Sequence, residues 1–245
     1  MTVRETPGAA EWIAELATER ERLDRGSAAE RVADVLRERI MEGFFPPGAR
    51  LSEATLCTAL GVSRNTLREA FRLLGHERLV THELHRGVFV PVPTEQDIVD
   101  LYRVRTMIEC DAVRRSRSAP EPALRAVHQA VKDGQDAAHA GRWREVGTAD
   151  LHFHQAIGGL AGSDRIDELM RRVLAELRLV FYLMASPHEF HELYLLRNAD
   201  IARLLDAGEF QAAAALLADY LADSEAQLVA ASRRRLGSPA PAPID

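Results

Sequence analysis

The sequence predicts a mainly α-helical chain in two parts: three short helices with a β-hairpin, then an antiparallel bundle of six or seven helices. Three observations carry this. Between residues 47 and 90, the runs Pro47-Gly48-Ala49-Arg50-Leu51-Ser52-Glu53, Leu60-Gly61-Val62-Ser63-Arg64-Asn65-Thr66-Leu67-Arg68-Glu69-Ala70 and Arg86-Gly87-Val88-Phe89-Val90 set two amphipathic segments around a glycine and end in a hairpin. From Thr94 onward apolar residues recur at helical spacing, with no alternating strand pattern. Pro91 and Pro93 divide the two regions, because proline neither extends a strand ladder nor enters a helix interior.

The first helix is marked by Val32, Val35, Leu36 and Ile40. Gly61 stands where a tight helix-to-helix turn requires positive φ, and Ser63 directly after it is placed to cap the next helix. Arg64, Asn65 and Arg68 then fall in that helix's first turns, with Arg72 beyond them and Glu69 as the nearby acid. A helix entering the major groove presents such N-terminal residues to the bases, where a guanidinium matches guanine or phosphate and a carboxamide matches adenine. An apolar strand at Leu79-Val80-Thr81, a polar turn to Arg86-Gly87 and a second strand at Val88-Phe89-Val90 complete a winged helix-turn-helix.

Residues 28 to 93 resemble the winged-helix domain of the GntR family of bacterial transcription regulators, through the apolar first helix, the Pro47-Gly48 and Leu51-Ser52-Glu53 run, Leu60-Gly61-Val62-Ser63-Arg64, Arg68-Glu69-Ala70, Leu79-Val80 and the Arg86-Gly87 wing. The resemblance implies that Arg64 and Arg68 contact bases or phosphates, flanked by Ser63, Asn65 and Thr66. It likewise implies that Arg50 and Ser52 touch backbone phosphates and that Arg86 and Gly87 enter the minor groove. Two departures bear on the operator sequence: Asn65-Thr66 stands where the family usually has Thr-Pro, and the wing reads Glu83-Leu84-His85-Arg86, with an acid near DNA.

At 245 residues with 47% hydrophobic content the chain fills two ordinary cores. Its net charge of −6 disfavours a non-specific nucleic-acid binder, which would be basic throughout. The two cysteines, Cys57 and Cys110, lie in different expected domains among apolar helical neighbours and read as buried reduced thiols, in keeping with a cytoplasmic protein. The N-terminus has no signal-peptide pattern, and no segment approaches a membrane span; the longest apolar run, from Leu177 to Ala185, is too short.

Residues 1 to 27 are expected to form a mobile arm with one helical piece around Trp12 to Leu16, which either stays free or adds a contact to DNA or a second subunit. In the bundle, over 94 to 235, Thr94 with Asp97 caps a helix whose inner face carries Ile98, Leu101, Tyr102, Arg105, Ile108, Glu109 and Ala112. Further helices are expected over about 120–140, 142–160, 164–185, 189–207 and 209–235, broken by Gly, Ser or Pro. Leu179, Phe181 and Leu183 belong either to a subunit contact or to the core. Residues 236 to 245, rich in Pro and Ala, are expected to be disordered.

Over residues 95 to 232 the chain resembles the FCD effector-binding domain of the FadR subfamily, through the helix order, Val104 to Glu109, Asp150-Leu151-His152-Phe153-His154 and the Ala207-Gly208-Glu209 break. Asp150 and His154, four residues apart, share one helix face and can bite a single divalent ion such as zinc, nickel or manganese, or can pair in a buried hydrogen-bonded network. In metal-binding members two further histidines complete the site. Aligned on Ile201, Gly208 and Ala213, this chain has Asn198 and Tyr220 there. An amide oxygen and a phenol are poor ligands for zinc or nickel. The resemblance points Arg105 inward, to hold a carboxylate effector or to pair with Glu109, beside Asp150, His154, Asn198 and Tyr220.

These readings converge on a non-enzymatic, sequence-specific DNA-binding regulator, a repressor by family habit. It is expected to act as a homodimer on a double-stranded operator and to be controlled by a small organic acid in the helical domain. The rival readings are a ligand-independent DNA-binding protein and a metal-dependent hydrolase built on His152-Phe153-His154, which no nucleophile or phosphate-loop motif accompanies.

Overall fold

A computed structural model describes residues 27–184 and 186–236; the expected arm, apart from Ser27, and the expected tail, apart from Leu236, lie outside the described residues. The chain divides into two compact units between Val92 and Pro93. Among the described residues no helix is long and apolar enough to cross a membrane.

In the first unit α1 (Ala28–Met41) opens on a capping box between Ser27 and Glu30, and buries Val32, Leu36 and Ile40. Strand β1 (Arg50–Leu51) leads into α2 (Glu53–Leu60), which ends at Gly61 with φ 66°, the left-handed conformation the turn requires. Then α3 (Arg64–His76) starts on the cap Ser63, whose side chain accepts from the Thr66 amide at 3.1 Å. Its face of Leu67, Ala70, Phe71 and Leu74 is wholly buried, each large side chain contributing roughly 1.5–3 kcal/mol. A buried bidentate pair, Arg37 to Glu77 at 2.6 and 2.7 Å, ties α1 to the C-terminal cap of α3 and so fixes the angle at which α3 is presented.

The wing differs in detail from the expected hairpin. Leu79 and Val80 are core residues that precede the strand, and pairing begins at β2 (Thr81–Glu83) against β3 (Gly87–Phe89). Strand β1, which sequence reading missed, pairs on the other side of β3, so the antiparallel order is β1-β3-β2, with Leu51 opposite Val88. Two residues are too short for any alternation to be visible in sequence.

The second unit is all helix among its described residues: α4 (Glu95–Arg114), a 3₁₀ turn Ser116–Ser118, α5 (Glu121–His139), α6 (Trp143–Gly159), α7 (Asp164–Phe181), α8 (Pro187–Asp206) and α9 (Phe210–Leu236). The capping box between Thr94 and Asp97 forms as the sequence predicts. Helix α6 is the hub, packing on α4, α5, α7 and α8, while α9 lies along α4 and α8. That arrangement turns side chains of α4, α6, α8 and α9 toward one interior. Leu179 and Phe181 are buried and resolve to core. Cys110 is buried, whereas Cys57 is only half-buried.

Candidate functional site

In the winged helix, Arg64, Asn65 and Arg68 are exposed on the first turns of α3. Arg64 lines a cleft of about 320 Å³ together with Arg50, Ser52, Glu53 and Gly87, so three elements bring predicted contact residues to one place. Gly87, at φ 112°, lies against Arg50: a Cβ there would stand 3.5 Å from the Arg50 Nε. The polar side chains divide by task. Ser52 and Ser63 each cap a helix, and Thr66 bonds the Ser63 hydroxyl at 2.9 Å, so these three hold the turn in shape. Arg64 forms no ion pair within the chain among the described residues. Arg68 is paired with Glu53 of α2 at 3.0 Å, an acid that the sequence reading of this face overlooked, and Arg72 is paired with Glu69 at 2.6 Å. At the wing tip, Arg86 pairs with Glu83 and lies over the Phe89 ring at 5.3 Å.

In the helical unit, all five residues expected around the effector lie in one buried network. Arg105 Nε donates to Glu109 Oε1 at 2.8 Å, and Glu109 Oε2 lies 2.6 Å from His154 Nδ1. His154 Nε2 lies 2.9 Å from the Tyr220 hydroxyl, which donates to Asp150 Oδ1 at 2.8 Å. Asn198 Nδ2 donates to the same Asp150 oxygen at 2.8 Å. Because Tyr220 spends its only proton on Asp150, it accepts from His154 Nε2. Each residue in the series is less than a tenth exposed. Burial alone would raise the pKa of both carboxyls. For Glu109 the neighbouring Arg105 and His154 outweigh it, and for Asp150 His154, His191 and the bonds from Asn198 and Tyr220 do so, leaving both below the ordinary carboxylate value. Tyr220 is pushed far above its usual value, by burial first and by the Asp150 charge second.

Among the buried polar atoms with no hydrogen-bond partner in the described residues are Arg105 Nη2, Asn198 Oδ1, the Tyr194 hydroxyl and His191 Nδ1. A native interior rarely leaves a guanidinium donor and an amide oxygen unsatisfied, and both are suited to a polar guest. Tyr194 stacks on Tyr220 with ring centroids 4.6 Å apart, and Tyr102 bonds Ser224 at 2.5 Å beneath the Arg105 guanidinium.

Residues 28–90 match the model of bacterial regulatory proteins of the gntR family, and residues 100–223 match the FCD domain, half of the chain by itself. The chain belongs to the GntR family. A GntR structure from Rhodococcus sp. RHA1 is 49% identical, with a TM-score of 0.78, covering 84% of this chain and 99% of that one. The HTH-type regulator YdhC of Bacillus subtilis is 28% identical over 140 residues, 56% of this chain and 62% of that protein. The galactonate operon transcriptional repressor of Escherichia coli is 27% identical over 154 residues, 52% of this chain and 64% of that protein. The match thus spans less than two thirds of either of these two curated relatives.

The metal of metal-binding FCD domains does not fit the donors present. A carboxylate oxygen only accepts, so Asn198 must turn its NH₂ toward Asp150, which directs its one ligating atom elsewhere. Tyr220 would have to lose a proton that burial and Asp150 hold firmly. Among the described residues no group of three or more His, Cys, Asp or Glu side chains is arranged to hold an ion. The same positions of this FCD domain carry a hydrogen-bonded lattice in which the Tyr220 hydroxyl bridges His154 and Asp150, themselves 3.9 Å apart.

Several members of this interior escaped sequence reading. Glu109 was visible only as a partner for Arg105, and its bond to His154, 45 residues away, follows from packing of α4 on α6. Tyr194 and Ser224 reach it from α8 and α9, beside Tyr102 of α4, which the helical spacing had placed on the inner face. His191, which the motif left unassigned, precedes Asn198 by seven residues, two helical turns on the same face, and is buried. That spacing was the available signal. The exposed His152 points away, as its position in the helix predicts.

Proposed function

We propose that this GntR-family protein is a sequence-specific, DNA-binding transcriptional repressor whose operator affinity is set by a small organic acid held in its FCD domain. It acts by binding and not by turnover, as a cytoplasmic homodimer in which two winged helices address the halves of a palindromic operator. Arg64 is the principal base reader, with Asn65 and Arg68 beside it. Arg50, Ser52, Arg86 and Gly87 meet the phosphates and the minor groove, while Ser63 and Thr66 shape the start of the helix. The observation that carries the DNA reading is the convergence of Arg50, Arg64 and Gly87 from three elements on one cleft, on a protein of net charge −6.

The effector reading rests on Arg105 Nη2 and Asn198 Oδ1, a donor and an acceptor buried without partners beside Asp150, His154 and Tyr220. A carboxylate on the guanidinium and a hydroxyl on the amide oxygen would satisfy both, which describes a hydroxy acid. The galactonate name of the E. coli relative supports the same class. Binding alters DNA affinity only to the extent that the acid prefers one conformation of the dimer over another.

The test selects a binding sequence from random duplexes and measures it by fluorescence anisotropy with the unaltered protein and Arg64→Ala. Loss of a bidentate base contact costs roughly 1–3 kcal/mol per half-site, so affinity should fall by at least about tenfold while dimer mass is unchanged. Unaltered affinity of Arg64→Ala would sink the assignment of the reading helix.

A further inference from the structure

We infer that Leu84, at the tip of the wing, is an apolar wedge that enters the minor groove and opens a base step, a role that rests on the reading of the winged helix as the DNA-contacting unit. The protein then reads how easily its operator deforms as well as which bases it carries. Leu84 is 84% exposed, the highest value among the exposed large apolar side chains of the described residues. A solitary exposed leucine is ordinary on a protein surface, and this one is informative because of where it stands. Glu83 and Gly87 pair across the hairpin, and Gly87 shares a cleft with Arg50 and Arg64. Leu84, His85 and Arg86 form the loop just beyond that pair, and all three are exposed.

A duplex that takes the start of α3 in its major groove lays a phosphate strand along the cleft, so the loop beyond Gly87 meets the adjacent minor groove. That groove, about 6 Å wide, admits single side chains. A leucine can bond neither a phosphate nor a base edge, and its gain there comes from leaving water to pack against sugars and an opened base step. Charge does little of this work at the tip, because Arg86 already pairs with the Glu83 carboxylate. The loop is also stiff enough to act as a wedge. The Arg86 amide donates to the Glu83 carbonyl at 3.0 Å, and the Arg86 guanidinium lies over the Phe89 ring at 5.3 Å. His85 holds φ 61°, a left-handed conformation that, among the described non-glycine residues, only Arg78 shares. Pyrimidine–purine steps, TA and CA/TG, unstack most easily, so Leu84 favours operators with such a step beneath the wing.

The probe is the duplex selected from random sequence, with 2-aminopurine placed in turn at each adenine of either strand, since this base brightens when it unstacks. Saturating full-length protein should raise the fluorescence at least about twofold at one step per half-site, and Leu84→Ala should abolish the rise while Leu84→Met retains it. Changing that step from pyrimidine–purine to AA should weaken the unaltered protein about fivefold and Leu84→Ala less than about twofold. Leu84 is exposed and outside the core, so the alanine variant keeps the hairpin. No opened step in the complex of the unaltered protein, an opened step that persists in Leu84→Ala, or a step preference that persists in it would each overturn the wedge. Those results leave the DNA reading standing, because the duplex is bound in all of them; a protein for which no duplex can be selected overturns both.

Discussion

Tyr220→Phe isolates one hydroxyl at the centre of the buried network. The ring is 2% exposed and stacked on Tyr194 with an interplanar angle of 22°, and phenylalanine preserves that stacking. What disappears is the bridge that accepts from His154 at 2.9 Å and donates to Asp150 at 2.8 Å. Hydrogen bonds to charged groups contribute roughly 1.5–3 kcal/mol each, and a buried group stripped of its partner adds a desolvation cost. The loss is less than two full bonds, because Asp150 keeps Asn198 and His154 keeps Glu109. About 2–4 kcal/mol is therefore expected, which in a protein of this size lowers Tm by roughly 5–15 °C. Urea unfolding followed by Trp143 fluorescence in the Trp12→Phe background reports on the helical unit, with calorimetry for Tm. A Tm within about 1 °C of the parent would refute the network as a structural element, since no buried bridge between a histidine and a carboxylate is that dispensable.

The double variant Asn198→His/Tyr220→His restores the family's donor set around Asp150 and His154. It should retain about one zinc per chain by elemental analysis where the parent retains none, and equal retention by both would contradict the donor argument. Glu53→Gln releases Arg68 from its 3.0 Å pair and removes an acid from the cleft, so affinity for the selected duplex should rise a few-fold with a steeper salt dependence; a decrease would mean that the pair positions Arg68 for reading. His191 is held down to about 4, chiefly by burial, with Asp150 opposing and Arg178 assisting. Folding thus favours its neutral form, so its contribution is whole above about pH 6.5 and is lost as pH falls from there toward 4. It amounts to roughly 3 kcal/mol at most. His191→Gln should flatten the acid limb of stability in that window, and an unchanged limb would show that another group governs it.

Legibility in the sequence followed the range of the interactions. The turn at Gly61, the cap at Ser63 and the capping box at Thr94 are local, each set by residues within four positions, and each was read where it lies. Helix limits in the bundle were predicted to within about four residues because periodicity and breakers define them. Strand β1 was invisible, since its two residues gain meaning only from Val88 and Phe89 across the sheet. The electrostatic partners were hardest. Glu53 with Arg68, Glu77 with Arg37 and Glu109 with His154 are 15, 40 and 45 residues apart, and no spacing rule links them. Alignment against the resembling family did name Asn198 and Tyr220, but only the packed interior shows that both donate to a single oxygen of Asp150.

That shared oxygen makes the two substitutions one unit. A buried carboxylate needs either a cation or a set of donors, because an uncompensated charge in the interior is worth several kcal/mol of instability. Where the family's two histidines stand with Asp150 and His154, a metal can supply the cation; here an amide and a phenol supply two donors, and Glu109 with Arg105 completes the lattice on the far side of His154. A single exchange to histidine, at Asn198 or Tyr220 alone, removes a donor that the lattice uses and replaces only one of the two missing ligands. Either intermediate should therefore be less stable than both the parent and the zinc-loaded double variant, a coupling that the four-protein cycle measures directly. Stabilities that simply add would separate the two positions and leave Asp150 without the role assigned to it.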